Sequence, residues 1–133
     1  MAASVDTING LPGARFDNLF TVTAAPLAPH TAEEVEAAVY EEIDRLASEP
    51  VAQEELDRVR RRIETDFLRS LDSAPGLANT LAFFEGVAGD WRYLTRYTSV
   101  VESITPAEIM DVVKRRLTRT GRTVAVLRRP ESR

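Results

Sequence analysis

Two amphipathic helical stripes separated by a proline constrain this chain more than any other feature. Thr31 and Glu34 form a T-x-x-E capping box, in which the hydroxyl accepts from one free amide and the carboxylate reaches back to another. Val35, Val39, Ile43 and Leu46 follow at spacings of four, four and three, which puts them on one helical face. Pro50 interrupts, because a proline inside a helix loses an amide and clashes with the preceding turn. Leu56, Val59, Ile63, Phe67 and Leu71 then form a second stripe, flanked by Glu54–Arg58, Asp57–Arg61 and Arg62–Asp66, pairs spaced to support a solvated helix surface. Two such helices need a surface to lie against.

The chain is 133 residues long, which predicts one domain burying roughly two-thirds of its unfolded surface. Its apolar share of 44% and charged share of 29% are those of an ordinary globular protein. A net charge of −4 gives no basic face for nucleic acid, and Arg58, Arg60, Arg61 and Arg62 are interleaved with acids, as on a solvated helix. No apolar run approaches the roughly 20 residues that span a bilayer. No secretory signal opens the chain, so the cytoplasm is the default expectation. Cysteine is absent, which excludes disulfides and thiolate metal sites.

Strand character is confined to the two ends. Ala2 to Ile8 reads as a short strand in which Val5 and Thr7 share one face, Asp6 and Ile8 the other; Asn9-Gly10 and Pro12-Gly13 then mark a turn. Leu19 to Ala24 alternates at period two, with Phe20 and Val22 on one face. After Leu71, Ser73 caps a helix with Pro75 in its first turn and Leu77, Leu81, Phe84 and Ala88 as its stripe. Gly89-Asp90 breaks it, and Asp90 caps a further helix carrying Trp91, Leu94, Tyr97, Val101 and Ile104. Thr105, Pro106 and Glu108 form a second capping box, opening a helix that buries Ile109, Val112, Val113 and Leu117. Lys114, Arg115 and Arg116 suit its C-terminal dipole, and Gly121 is read as its left-handed terminator. Arg122 to Leu127 is expected as a closing strand stopped by Pro130. This order predicts an α+β fold: a small antiparallel sheet of the N-terminal strands plus the C-terminal strand, covered on one face by about five helices.

Groups that could carry chemistry are few. His30 is the single histidine, so no conventional zinc site and no Ser-His-Asp arrangement with a nucleophile elbow can be assembled. Glu33–Glu34, Glu41–Glu42 and Glu54–Glu55 are adjacent on helices, where neighbours point about 100° apart and do not converge on one atom. Phosphate-binding glycine loops are absent. Two features remain as candidate peptide contacts. One is the strand carrying Phe20 and Val22, whose edge could add an extended peptide. The other is the aromatic set Trp91, Tyr93 and Tyr97, for which core packing is the commoner use.

The order of elements resembles the pitrilysin/insulinase family of zinc metallopeptidases, whose relatives include the mitochondrial processing peptidase subunits. The carrying segments are F-D-N-L-F-T-V-T-A-A-P-L-A-P-H-T-A-E-E-V-E-A-A-V-Y-E-E-I-D-R-L, P-V-A-Q-E-E-L-D-R-V-R-R-R-I-E, L-A-N-T-L-A-F-F-E-G-V-A-G-D, V-V-E-S-I-T-P-A-E-I-M-D-V-V-K-R-R-L and T-V-A-V-L-R-R-P, spanning roughly Ala2 to Pro130. The resemblance implies a clamshell of two homologous halves around a peptide chamber, with zinc held by an H-x-x-E-H motif and a further Glu. This sequence has no H-x-x-E-H, so no catalytic or metal-binding residue carries over. The chain is expected to be the later part of one family domain, a C-terminal fragment and structural wall of the chamber. Zinc would reside in the full-length protein or a partner. Its expected partners are the catalytic or companion half, a peptide substrate, and other copies of itself through exposed apolar surface. The alternative is a free-standing α+β interaction module without a peptidase role.

Overall fold

The computed structural model describes residues 1–127. An antiparallel hairpin comes first, β1 (Ala2–Leu11) against β2 (Leu19–Pro26). Five helices follow: α1 (Ala32–Ser48), α2 (Gln53–Leu71), α3 (Ala74–Ala88), α4 (Tyr97–Ser103) and α5 (Pro106–Arg116), with a 3-10 turn at Trp91–Arg96 between α3 and α4. The fold is α+β, as the pattern predicted.

Local chemistry accounts for most boundaries. Both capping boxes are formed, Thr31 with Glu34 and Thr105 with Glu108. Ser73 accepts from the Gly76 amide to open α3, which ends at the left-handed Gly89. The strain before Pro50 ends α1 at Ser48, and α2 starts without a side-chain cap. Asp90 caps as expected, but the residues after it wind first into the 3-10 turn, and the α-helix begins only at Tyr97. β1 runs past the expected turn to Leu11; Gly10, at φ 103, sits in the register shift between Asn9 and Leu11.

Two expectations at the C-terminal end are corrected. Among the described residues the sheet has two strands, and 122–127 is unpaired. Arg122 lies over the Tyr40 ring of α1 at 3.9 Å, and Arg119 pairs with Asp44 of α1 at 3.7 Å, which tie the start of this segment to a helix instead of a strand edge. The stop assigned to Pro130 lies outside the described residues. Gly121 closes a 3-10 turn and is not left-handed; α5 ends earlier, where the Leu117 amide bonds the Val113 carbonyl.

Packing divides the helices into two groups. α1 lies between β2 and α5, while α2 packs on α3 and α4, and the 3-10 turn bridges α3 to α4. Val35, Leu56, Phe84, Val101 and Val113, one from each helix, are the buried apolar residues. Val59 and Val112, expected inside, are exposed; on α2 the stem of Arg60 packs inward instead. The accessible surface is 10678 Å². An extended chain of 14.8 kDa exposes about 21,000 Å², so folding buries about half and not the expected two-thirds. Exposed large apolar side chains are spread over the described residues, from Val5, Ile8, Leu11, Leu19 and Phe20 in the hairpin to Leu68, Phe83 and Val112 on the helices.

Candidate functional site: the hairpin surface and the aromatic cluster

The aromatic set divides into an inner and an outer part. Tyr97, at the start of α4, meets Phe67 of α2 at 4.7 Å between ring centroids and Phe84 of α3 at 5.7 Å. Tyr93 meets Phe84 at 5.3 Å, and Phe83 stands edge-on to Phe84 at 5.6 Å. These tilted and edge-on geometries are the favoured ones for aromatic packing, so Tyr93 and Tyr97 are half-buried members of the core joining α2, α3 and α4. Trp91 is different. The residue is 44% exposed, with the Arg92 guanidinium 4.8 Å from its ring centroid. Its backbone N–H donates to the Glu85 carboxylate at 3.0 Å. With Leu81, Ala82 and Glu85 it lines a shallow, open depression.

The strand candidates lie on β2. Phe20 opposes Asn9, Val22 opposes Thr7 and Ala24 opposes Val5, so these six side chains share one face of the hairpin. Val22 and Ala24 are half-buried; Phe20 and Val5 are exposed. Phe20 and Val22 therefore belong to the part of the fold that meets α1, and Trp91 to the part built on α3.

Sequence reasoning missed a cleft of about 180 Å³ between α2 and α4, lined by Asp57, Arg60, Arg61 and Glu64 on one side and Tyr97, Thr98 and Glu102 on the other. Its signal is the mixed charge of α2, which in sequence matches a uniformly solvated face. Arg60 is committed there: it donates to Asp57 Oδ1 at 2.9 Å and to the Ile104 carbonyl that ends α4. Asp57 also accepts from Gln53 at 2.8 Å. Arg60 Nε is buried without a hydrogen-bond partner among the described residues. The cleft's main cation thus joins α2 to α4 and is not free to bind a ligand.

The shifted carboxyls are helix caps. The Thr31 amide, donating at 3.0 Å, holds Glu34 below the ordinary value of 4.5, with help from His30 Nδ1 at 3.0 Å. Glu108 is lowered by the Thr105 amide at 2.7 Å and then by the Thr105 hydroxyl at 2.8 Å. A carboxyl depressed in the folded state stabilises fully above its unfolded pKa, and that contribution fades as pH falls through the folded one. Thermal melts at descending pH should therefore lose stability below 4.5 through both caps. A Glu34→Gln, Glu108→Gln double variant should start lower at neutral pH and show a flatter acid limb. Among the described residues no group of three or more His, Asp or Glu side chains converges to hold a metal ion, and no helix is long and apolar enough to cross a membrane.

No family model matches the chain, and no curated protein does. Among solved structures, a protease from Helicobacter pylori superimposes with a TM-score of 0.78 at 20% sequence identity. The match covers 91% of this chain and 28% of the protease. The chain thus shares its fold with a part, under a third, of a longer protease chain.

Proposed function

We propose that this chain is the non-catalytic C-terminal portion of a pitrilysin/insulinase-like zinc peptidase domain, a structural wall of a peptide chamber. The observation that carries this reading is the fold match, nearly complete for this chain and confined to 28% of the protease. The order of segments that resembles the pitrilysin/insulinase family supports the choice of family. In this reading zinc and the catalytic base belong to the full-length protein or to a partner chain. Phe20 and Val22 on the hairpin and Trp91 beside α3 are the peptide contacts, while Tyr93 and Tyr97 pack into the core against Phe84.

Incubating the purified chain with an unfolded fluorogenic peptide, with added zinc or with a chelator, tests the assignment. The expected result is no turnover in either case. Chelator-sensitive cleavage by the chain alone would overturn it.

A further inference from the structure

The chain passes between its two packing groups at two places, residues 49–52 from α1 to α2 and residues 104–105 from α4 to α5. Elements on opposite sides of this division pack on each other only slightly. Both crossings are short runs that include extended backbone: Glu49 and Ala52 at the first, Ile104 and Thr105 at the second, all lie in the β region. No helical ladder stiffens such residues, and a few of them at element ends are enough to absorb a rotation of one group against the other.

The second crossing is held at one peptide unit. The carbonyl of Ile104 and the amide of Thr105 lie in the same plane, because the bond joining them does not rotate freely. Arg60 of α2 donates to that carbonyl, and Glu108 of α5 accepts from that amide at 2.7 Å. Each bond has an ionised partner, which makes it stronger than a neutral one. The unit is therefore gripped by α2 on one edge and by α5 on the other, which fixes the direction in which α5 leaves α4. Arg60 is itself aimed by Asp57 Oδ1 at 2.9 Å.

We propose that Arg60 is a positioning residue: through the peptide unit between Ile104 and Thr105 it sets the angle between the group of the hairpin, α1 and α5 and the group of α2, α3 and α4. Its purpose rests on the peptidase reading, in which the peptide contacts are divided between the groups, Phe20 and Val22 on the first and Trp91 on the second. Their spacing is then a property of the crossing and not of either group. The pin is made only of atoms within this chain, whatever its outer surfaces meet.

Distances between nitroxide labels on the purified chain, read by pulsed electron resonance, test it; with no native cysteine, labels attach only where one is introduced. One pair spans the groups, Glu41→Cys on α1 with Asn79→Cys on α3. A second lies within one group, Arg62→Cys on α2 with Asn79→Cys, and all three positions are exposed. Arg60→Met keeps the apolar stem and removes the donors, while Glu108→Ala removes the grip on the amide. Each should shift and broaden the spanning distance by several ångströms and leave the internal distance unchanged. Arg61→Met, the next residue on the same cleft, should change neither. A spanning distance as narrow in Arg60→Met as in the wild type overturns the proposal, as does broadening of both pairs, which is general loosening. Equal effects from Arg61→Met, or a wild type already as broad as the variants, overturn it too. If Arg60→Met does not fold, Glu108→Ala decides by the same two distances. No peptide or metal enters the measurement, so a negative result leaves the peptidase reading standing. Chelator-sensitive turnover by the chain alone would remove that reading and leave the pin.

Discussion

Phe84→Ala should lower stability by about 3–5 kcal/mol, the range for truncating a buried aromatic. Phe84 is 7% exposed, and its ring touches Phe83, Tyr93 and Tyr97, so it is the side chain through which α3, the 3-10 turn and α4 meet. Alanine leaves a void between the rings of Tyr93 and Tyr97, and Tyr97 is also held against Phe67, which limits how far the site can collapse. Domains are usually stable by about 5–15 kcal/mol. One that buries only about half its unfolded surface belongs at the low end, and the loss takes most of its margin. At about 4 °C per kcal/mol for a chain of this size, the melting temperature should fall by about 10–20 °C in a circular dichroism melt. Phe83→Ala is the control. Phe83 is the next residue on the same helix, 53% exposed, and its truncation should cost no more than about 1 kcal/mol. Equal losses in the two variants would mean that Phe84 does not anchor the cluster.

The parts of the fold legible in the sequence are those decided within one turn of chain. The Thr31–Glu34 and Thr105–Glu108 boxes and the Ser73 and Asp90 caps satisfy amides two or three residues away, so a short string of residues specifies each. Partners far along the chain were not legible. The alternation in T-V-A-V-L reports how well a segment would suit a strand, and it does not report whether an edge is within reach. Among the described residues the segment pairs with no edge, and Arg119 and Arg122 beside it contact α1 instead. The sequence places Trp91, Tyr93 and Tyr97 in one helix, but only the rings of Phe67 on α2 and Phe84 on α3 determine that Tyr93 and Tyr97 face inward. Phe67 and Phe84, which receive them, belong in the sequence to two separate stripes. At the hairpin the weak pattern was accurate: β1 showed no clean apolar face because neither of its faces is covered.

Gly76→Ala should destabilise the chain although helix propensity argues the opposite. Replacing glycine by alanine inside a helix is worth up to about 1 kcal/mol in favour of alanine. Gly76 lies in the first turn of α3, where its amide donates to Ser73 Oγ at 3.1 Å, and a Cβ there would fall 2.1 Å from the Ser70 carbonyl oxygen and 3.0 Å from Ser73 Oγ. The first obstacle is backbone in the last turn of α2, so it cannot rotate away. Relief requires α3 to move off α2 by more than an ångström, at the junction from which α3 runs to place Phe84. Overpacking costs about 1–3 kcal/mol where side chains can adjust, and more where they cannot. The steric term should therefore exceed the propensity gain. Gly86, in the interior of the same helix, has nothing within 4 Å of the corresponding position. Gly86→Ala should raise the denaturant midpoint, while Gly76→Ala lowers it by an amount comparable to Phe84→Ala. If both alanines stabilise, the close approach of α3 to the end of α2 is not how this chain turns its helices, and the aromatic cluster must be held by other contacts.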